Sequence, residues 1–276
     1  MYKSLFTLVT AGLLFSLSAS GIQIKNNSRV AFLGDSITQQ GQRREAGYVN
    51  LVIAVLNQNG VKTTPIRAGV SGHKSNQMLA RLKRDVISKK ADFLFLSCGV
   101  NDVWHSRRNM GIPLDQYKKN ITAIVDNAQK AGIKVCIMTA TMIGEDPAND
   151  MNKKLVPYND FLRRLAAEKK CLLADTNAAM QKQLALLKKQ YPKVKGFLLT
   201  SDGVHMAPAG DMMMAECLLR AVGVPGNKID FAKLPCKAEV KLMVPISFYN
   251  TIYKASLKQG KAAGSVGEQI DLTVRK

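Results

Sequence analysis

From Ser28 onward, short apolar runs alternate with longer segments in which apolar residues recur at helical spacing. A short apolar run suits a strand that is buried on both faces, and a helical segment between two such runs suits a crossover between parallel strands. This rhythm predicts a three-layer α/β/α fold around a five-stranded parallel sheet. The predicted strands are Val30 to Gly34, Thr63 to Ala68, Asp92 to Cys98, Ile133 to Thr139 and Cys171 to Ala174.

The segments between these strands have the one-sided apolar pattern of surface helices. The predicted helices are Tyr48 to Asn57, Ser75 to Ile87, Leu114 to Ala131 and Pro157 to Lys169. Pro113 and Pro157 stand at positions typical of a first helical turn, and Gly132 stands at a position typical of a helix end.

The first twenty residues are predicted to be a signal peptide. Lys3 precedes an apolar run from Leu5 to Leu17, and small residues follow up to Gly21, which is the layout of an export signal. The run is shorter than the roughly 20 residues that span a bilayer. We therefore expect cleavage near Ser20, a secreted or periplasmic protein, and no stable insertion into a membrane.

Residues 21–225 are predicted to form one domain, and residues 226–276 a C-terminal extension. The sequence Val224-Pro225-Gly226 interrupts the pattern, and a strand-like stretch runs from Val240 to Tyr253. Two arrangements stay open for the extension, an extra strand pair on the core or a partly ordered tail. The sequence assigns it no function.

Basic residues outnumber acidic ones by 40 to 20, which gives a formal charge of +20. They occur mostly as scattered pairs, without interleaved aromatic side chains or a nucleic-acid-binding motif. This pattern favours a solvated basic surface and argues against nucleic acid as a partner. Attraction to an acidic polymer is the interpretation that stays open.

The cysteines show neither metal-ligand spacing nor the pattern of a disulfide scaffold. Cys98, Cys136 and Cys171 lie in or beside predicted strands, so we expect buried free thiols there. A bridge between Cys217 and Cys236 remains an alternative.

The candidate catalytic residues lie in loops that follow the predicted strands, where ligands bind in parallel sheets. A serine is a poor nucleophile without a neighbouring base, and the base needs a partner that fixes its tautomer. Ser36, His205 and Asp202 are predicted to fill these three roles. The oxyanion of an acyl-transfer intermediate also needs hydrogen-bond donors, for which we predict the N–H groups of Ser36 and Gly72 and the amide of Asn101.

Four sequence blocks carry these residues in order. They are Gly34 to Thr38 (GDSIT), Ser71-Gly72, Gly99 to Asp102 (GVND) and Asp202 to His205 (DGVH). Together they resemble the SGNH hydrolases, also called GDSL esterases. The resemblance implies a flavodoxin-like sheet with strand order 2-1-3-4-5, ester hydrolysis through an acyl-serine, and neither a metal nor another cofactor.

The chain departs from that pattern at Arg67 and His73, where many relatives carry an asparagine and an acidic residue. These departures concern the substrate and leave the mechanism untouched. The stretch from Asn101 to His105 resembles members that act on carbohydrate esters in secreted bacterial systems. No G-x-S-x-G motif surrounds Ser36, which argues against the α/β-hydrolase fold.

Trp104, His105, Arg107 and Arg108 are the predicted substrate-binding residues. Trp104 is suited either to stacking on a sugar ring or to packing in the core. Together with Arg43 and Arg44, the arginines would place cations on both loops that border the cleft. This predicts an O-acetyl ester on an acidic polysaccharide. The alternative is that these arginines pair with nearby acidic residues such as Glu45 and Asp115.

Three further possibilities are a metal site, a lipid ester hydrolase and a non-catalytic protein. A metal site at His73 and His105 is disfavoured, because these histidines lack helical ligand spacing. Asp35 and Asp102 are expected to hold loop geometry through hydrogen bonds. A lipid ester hydrolase of the lysophospholipase or thioesterase type stays open. A non-catalytic carbohydrate-binding protein would be expected to have lost one of the catalytic residues.

Overall fold

The central sheet consists of five parallel strands in the order β2-β1-β3-β4-β5. The strands are β1 Ser28–Gly34, β2 Thr63–Gly69, β3 Phe93–Ser97, β4 Lys134–Met138 and β5 Leu172–Ala174. Both the parallel sheet and the strand order are as expected from the sequence. The order reverses at β1, between β2 and β3, so the carboxyl ends of these strands form the crevice where such sheets bind ligands.

The structure is a computed structural model that describes residues 21–234 and, beyond them, the strand segments 239–242, 258–259 and 270–273. The predicted signal peptide at residues 1–20 lies outside the described residues. In the C-terminal extension, β6 Glu239–Leu242 pairs antiparallel with β8 Ile270–Thr273, which also pairs with β7 Lys258–Gln259. The rest of the predicted stretch from Val240 to Tyr253 lies outside the described residues.

Helices cover both faces of the sheet. They are α1 Ser36–Arg43, α2 Tyr48–Gln58, α3 Ser75–Leu82, α4 Val100–Trp104, α5 Leu114–Lys130, α6 Asp150–Glu168, α7 Thr176–Gln190 and α8 Pro208–Ala221. Successive strand residues point to opposite faces, so Phe32 joins one apolar layer and Leu33 the other. The first layer contains Leu218 of α8, and the second contains Ile121 of α5. These two apolar layers fill the space between the sheet and the helices on each of its faces, which gives the predicted three-layer α/β/α architecture.

Helix α6 begins well before the predicted start at Pro157, so that prediction is wrong. The side chain of Asn149 caps the helix by accepting a hydrogen bond from Asn152 N at 2.8 Å. Pro157 lies in the helix interior. The asparagine cap, a strong helix start signal, sets the boundary, and the first-turn preference of proline does not.

Two other helical segments differ from the sequence prediction. Helix α3 ends at Leu82, and Lys83–Ile87 continues as a π-helical turn. Helix α7 was not predicted, although Asp175 caps it by accepting a hydrogen bond from Ala178 N at 3.1 Å.

The cysteines expected to be free thiols are free, although one of them is less buried than expected. Cys98 and Cys136 are buried free thiols, and Cys171 is a half-buried one. Cys217 also carries a free thiol, whereas Cys236 lies outside the described residues. None of the helices in the described part of the chain is long and apolar enough to cross a membrane.

Candidate active site

Ser36 lies at the junction between the central strand β1 and helix α1. Asp35 caps the helix by accepting a hydrogen bond from Ile37 N at 2.9 Å, and Ser36 is the first helical residue. Its N–H therefore has no acceptor within the helix, and it lies at the positive end of the helix dipole. A Cβ at Gly34 would overlap the buried side chain of Thr38, so glycine suits the point where the strand turns into the helix.

The structure brings the predicted base and its partner to this serine. His205 Nε2 lies 2.8 Å from Ser36 Oγ, and His205 Nδ1 lies 2.6 Å from Asp202 Oδ2. An ionised carboxylate only accepts hydrogen bonds, so the Nδ1–H donates to Asp202. Nε2 is thereby left as an acceptor for the serine hydroxyl proton, which is the arrangement of a serine, histidine and aspartate triad.

Asp202 is itself held by the backbone that follows it. Its Oδ1 accepts hydrogen bonds from Val204 N at 2.9 Å and from His205 N at 2.8 Å. Partial burial acts to raise the pKa of Asp202, but the hydrogen bonds from the His205 ring and from these two N–H groups outweigh it and hold the pKa below its usual value. The carboxylate therefore stays ionised and fixes the histidine tautomer.

The other predicted donors lie on the two neighbouring loops. Gly72 has a φ of +75°, and a Cβ built on it meets nothing within 4 Å, so its backbone borders open space. Asn101, buried on α4, donates one amide hydrogen to His73 O at 3.2 Å. This contact holds the asparagine beside the Gly72 loop and leaves its second amide hydrogen for a ligand.

Two buried carboxylates support these loops, as predicted. Asp102 Oδ1 accepts a hydrogen bond from Ser75 N at 3.0 Å, and this links α4 to α3. Burial raises the pKa of Asp102, and it raises the pKa of Asp35 to about 6, where the charge of Asp102 adds to the shift.

Arg81 is a structural anchor of the site that the sequence analysis missed. It is 4% exposed and donates to Gly34 O and to Ala68 O, both at 2.8 Å, and to His73 Nδ1 at 3.0 Å. It thus joins the carboxyl ends of β1 and β2 to the residue after Gly72. Partial burial and the Arg81 charge lower the pKa of His73. No local motif marks such a role, because the arginine stands in an ordinary helical pattern.

The four predicted substrate-binding residues lie together. Trp104, His105, Arg107 and Arg108 line a cavity of about 310 Å³ with Met110. The Trp104 and His105 rings are 6.0 Å apart, and both arginines are exposed. Partial burial and the charges of Lys74 and Arg108 lower the pKa of His105.

Of the two interpretations left open for the arginines, pairing with an acidic residue holds for Arg44, although its partner is not one of those named from the sequence. Its guanidinium donates to Met206 O at 2.6 Å and pairs with the buried carboxylate of Asp211 at 3.0 Å. Arg43 is exposed. Asp115, considered as a partner for the arginines, pairs instead with Lys118 at 3.2 Å.

Metal ligation has no support in the described residues. Across residues 21–234 and the three C-terminal strand segments, no group of three or more His, Cys, Asp and Glu side chains is placed to hold an ion. Nδ1 of His73 is engaged by Arg81, as described above.

A serine, a histidine and an aspartate in one hydrogen-bonded chain, at the carboxyl edge of a parallel sheet, define the class of serine hydrolases. Residues 32–211 match the model of the GDSL-like Lipase/Acylhydrolase family, and the chain belongs to that family. It is an ester-hydrolysing serine hydrolase.

Several relatives resemble the chain over most of their own length. An acetylxylan esterase from Geobacillus stearothermophilus is 28% identical over 221 residues, which are 73% of this chain and 97% of the relative. The crystal structure of this esterase, Axe2, matches with a TM-score of 0.64 over 73% of this chain and 96% of that one. Further solved structures of Axe2 are described as catalytic mutants in which a serine, an aspartate or a histidine is replaced by alanine.

Two more distant likenesses complete the comparison. LAE5, described as an alpha/beta hydrolase enzyme from the metagenome of Lake Arreo, Spain, is 25% identical with a TM-score of 0.65 over 74% of this chain and 99% of that one. YqeF of Bacillus subtilis strain 168, an uncharacterized lipoprotein, is 22% identical over 55% of this chain and 70% of its own length.

Proposed function

We propose that the protein is an exported esterase that removes O-acetyl groups from a polysaccharide through a covalent acyl-serine. The observation that carries the proposal is the 2.8 Å contact between Ser36 Oγ and His205 Nε2, with Asp202 on the other side of the imidazole. The catalytic mutants of Axe2, at the same three residue types, support these roles. The apolar run at Leu5 to Leu17 supports export.

In the first half of the reaction, Ser36 Oγ attacks the acyl carbon while its proton passes to His205 Nε2. The N–H groups of Ser36 and Gly72 and the free amide hydrogen of Asn101 donate to the oxyanion that forms. The intermediate then collapses, the ester C–O bond breaks, and the sugar hydroxyl leaves with the proton from Nε2. The acetyl group stays on Ser36.

In the second half, a water molecule takes the place of the sugar hydroxyl. His205 Nε2 accepts a proton from this water as its oxygen attacks the acetyl carbon. Collapse of the second intermediate releases acetic acid, and the proton returns to Ser36 Oγ. Asp202 stabilises the imidazolium in both halves without becoming protonated.

The substrate class is argued from the cavity that Trp104, His105, Arg107 and Arg108 line. An indole ring is suited to the apolar face of a sugar, and two exposed arginines raise the local concentration of an anionic chain. The relative's name, acetylxylan esterase, supports an acetylated polysaccharide. The arginines favour one that carries carboxylates, such as a pectic or other uronate-containing chain.

Ester hydrolysis is tested with an aryl acetate in the presence of a chelator. The purified protein should turn the ester over at an undiminished rate, whereas Ser36→Ala should lose the activity and keep the melting temperature. Ser88→Ala is the matched control. It removes an exposed serine hydroxyl at the end of the π-helical turn Lys83–Ile87 and should stay active. An active Ser36→Ala variant, or loss of activity on chelation, would contradict the mechanism.

The substrate class is tested with acetylated pectin and acetylated xylan at low and high salt. Surface charges are screened within about 8 Å at physiological ionic strength, so kcat/KM for pectin should fall with salt. At low salt, kcat/KM should be higher for acetylated pectin than for acetylated xylan, and an Arg107→Ala, Arg108→Ala double variant should lose this preference for pectin. The control is Lys83→Ala, Lys89→Ala, which removes equal charge near the amino end of β3. Equal values for both polymers under all conditions would overturn the assignment.

A further inference from the structure

We propose that Glu145 is a positioning residue that holds the loop carrying the catalytic base. This loop, residues 198–207, is called the base loop below. The effect on catalysis rests on the proposed function. Glu145 itself lies in a different loop, between β4 and α6. Glu145 touches none of the reacting groups in the hydrogen-bond network described above.

The Glu145 side chain accepts four hydrogen bonds from the start of the base loop. Its Oε2 accepts from Leu198 N at 2.6 Å, and its Oε1 accepts from Leu199 N at 2.7 Å. Oε1 also accepts from Thr200 N at 2.7 Å and from Thr200 Oγ1 at 2.8 Å. The residue is 7% exposed. These four donors converge on one buried carboxylate, which makes the contacts short and charge-assisted.

The hydrogen bonds continue from Thr200 into the turn that carries the base. Thr200 Oγ1 accepts from Gly203 N at 3.2 Å, and Gly144 N donates to Gly203 O at 2.6 Å. Gly203 lies between Asp202 and His205 in the chain. The two loops are therefore joined both at Glu145 and at its neighbour Gly144, directly behind the catalytic turn.

The base loop depends on such contacts because regular structure does not hold it. Between Gln190 and Pro208 the chain forms no helix and no strand of the sheet, and only a single antiparallel bridge joins Thr200 to Met206. The three consecutive backbone N–H groups of residues 198–200 are buried and would otherwise lack acceptors, which is unfavourable for a polar group removed from water. The Glu145 carboxylate supplies the acceptors and fixes where the loop begins.

A carboxylate at position 145 can accept all of these hydrogen bonds, whereas an amide cannot. All four donors approach the two Glu145 oxygens. In Glu145→Gln one of these oxygens becomes an NH₂ group, which only donates. Whichever way the amide is turned, at least one loop N–H then faces another donor. The variant therefore keeps the side-chain shape and disturbs the register of the base loop.

The test uses Glu145→Gln in the full chain, with kcat and KM for an aryl acetate measured across pH. A displacement of about 1 Å at a catalytic group is enough to cost up to about 100-fold in rate, so kcat should fall by about 10- to 100-fold with KM changed less than about 2-fold. The loss should appear in kcat at every pH at which the wild type is active, because a displaced base slows the chemical step and leaves substrate binding intact. A residue with only a structural role would lower the melting temperature and leave kcat and KM unchanged.

Asp175→Asn is the matched control. Asp175 also accepts hydrogen bonds from a backbone N–H and a hydroxyl, those of Ala178 and Thr139, but it caps α7. Asp175→Asn should lower stability and leave kcat unchanged. Thr200→Val, which removes the link between Glu145 and Gly203, should lower kcat as Glu145→Gln does, and by less. This variant also keeps the test valid if Glu145→Gln does not fold.

A proton NMR spectrum separates this proposal from the proposed function. The Nδ1–H that His205 donates to Asp202 should give a far-downfield resonance, which Glu145→Gln should shift or broaden and Asp175→Asn should leave in place. The resonance is observable even in Ser36→Ala, so it reports on positioning if the protein does not hydrolyse esters. An unchanged resonance together with unchanged kcat in folded Glu145→Gln and Thr200→Val would overturn the proposal.

Discussion

The proposed nucleophile, Ser36, and the proposed base, His205, are held in place by different means. Ser36 follows β1, which pairs with β2 on one side and with β3 on the other, and it opens helix α1. His205 lies in the base loop, where side-chain to backbone hydrogen bonds replace regular structure. The sheet therefore positions the serine, whereas individual side chains position the histidine.

The serine side and the histidine side of the site should therefore respond differently to substitution. Disturbing the backbone around Ser36 means disturbing the central strand, so damage there should appear as lost stability. Single side chains of the base loop can be changed without touching the sheet, so damage there should appear as lost turnover in a folded protein.

Asp202→Asn should lower kcat by about 10⁴-fold, the effect of a neutral partner that favours the wrong histidine tautomer. The asparagine keeps the size of the side chain, and one amide oxygen remains to accept from Val204 N or His205 N. The melting temperature should therefore change little. Steady-state kinetics and thermal unfolding of the same preparation measure both quantities, and a loss of less than about 10-fold would show that the base does not depend on this carboxylate.

Asn101→Ala should lower kcat by about 10²- to 10³-fold with little change in KM, because the amide is proposed to donate to the oxyanion and not to the bound ester. Asn101 is held both by regular structure, because it lies on the short helix α4, and by a side-chain hydrogen bond to His73 O. The split between kcat and KM for an aryl acetate is the measurement. An effect on KM alone would mean that Asn101 only positions the substrate.

Asp35→Asn should change the pH dependence of stability near the nucleophile. The pKa of Asp35 is raised by burial from 3.8 to about 6, so between those values the unfolded chain releases a proton that the folded protein retains. Wild-type stability due to this group thus falls as pH rises from about 4 to about 6, by up to about 3 kcal/mol.

The asparagine still caps α1 but does not titrate, so the variant should gain stability relative to the wild type as pH rises from 4 to 8. Urea unfolding of both proteins at these two pH values gives the difference. Equal differences at both values would show that Asp35 does not carry this shift.

The two regions also differ in how well the sequence predicts them. The strand that precedes Ser36 was predictable because an apolar run is a local signal, and the Asp202–His205 pair was predictable because both residues lie in one turn. Arg81, Arg44 and Glu145 were not, since each acts on residues distant in the chain. A local pattern does not record which backbone groups a distant side chain will meet.

Covalent labelling shows whether His205 activates Ser36 as a nucleophile. An aryl phosphonate ester, which reacts with activated serines, is incubated with the wild type, Ser36→Ala and Asp202→Asn, and the modified peptide is identified by mass spectrometry. We expect one adduct on Ser36 in the wild type, none in Ser36→Ala, and greatly slowed labelling in Asp202→Asn. Labelling at another residue, or equal rates in all three proteins, would contradict it.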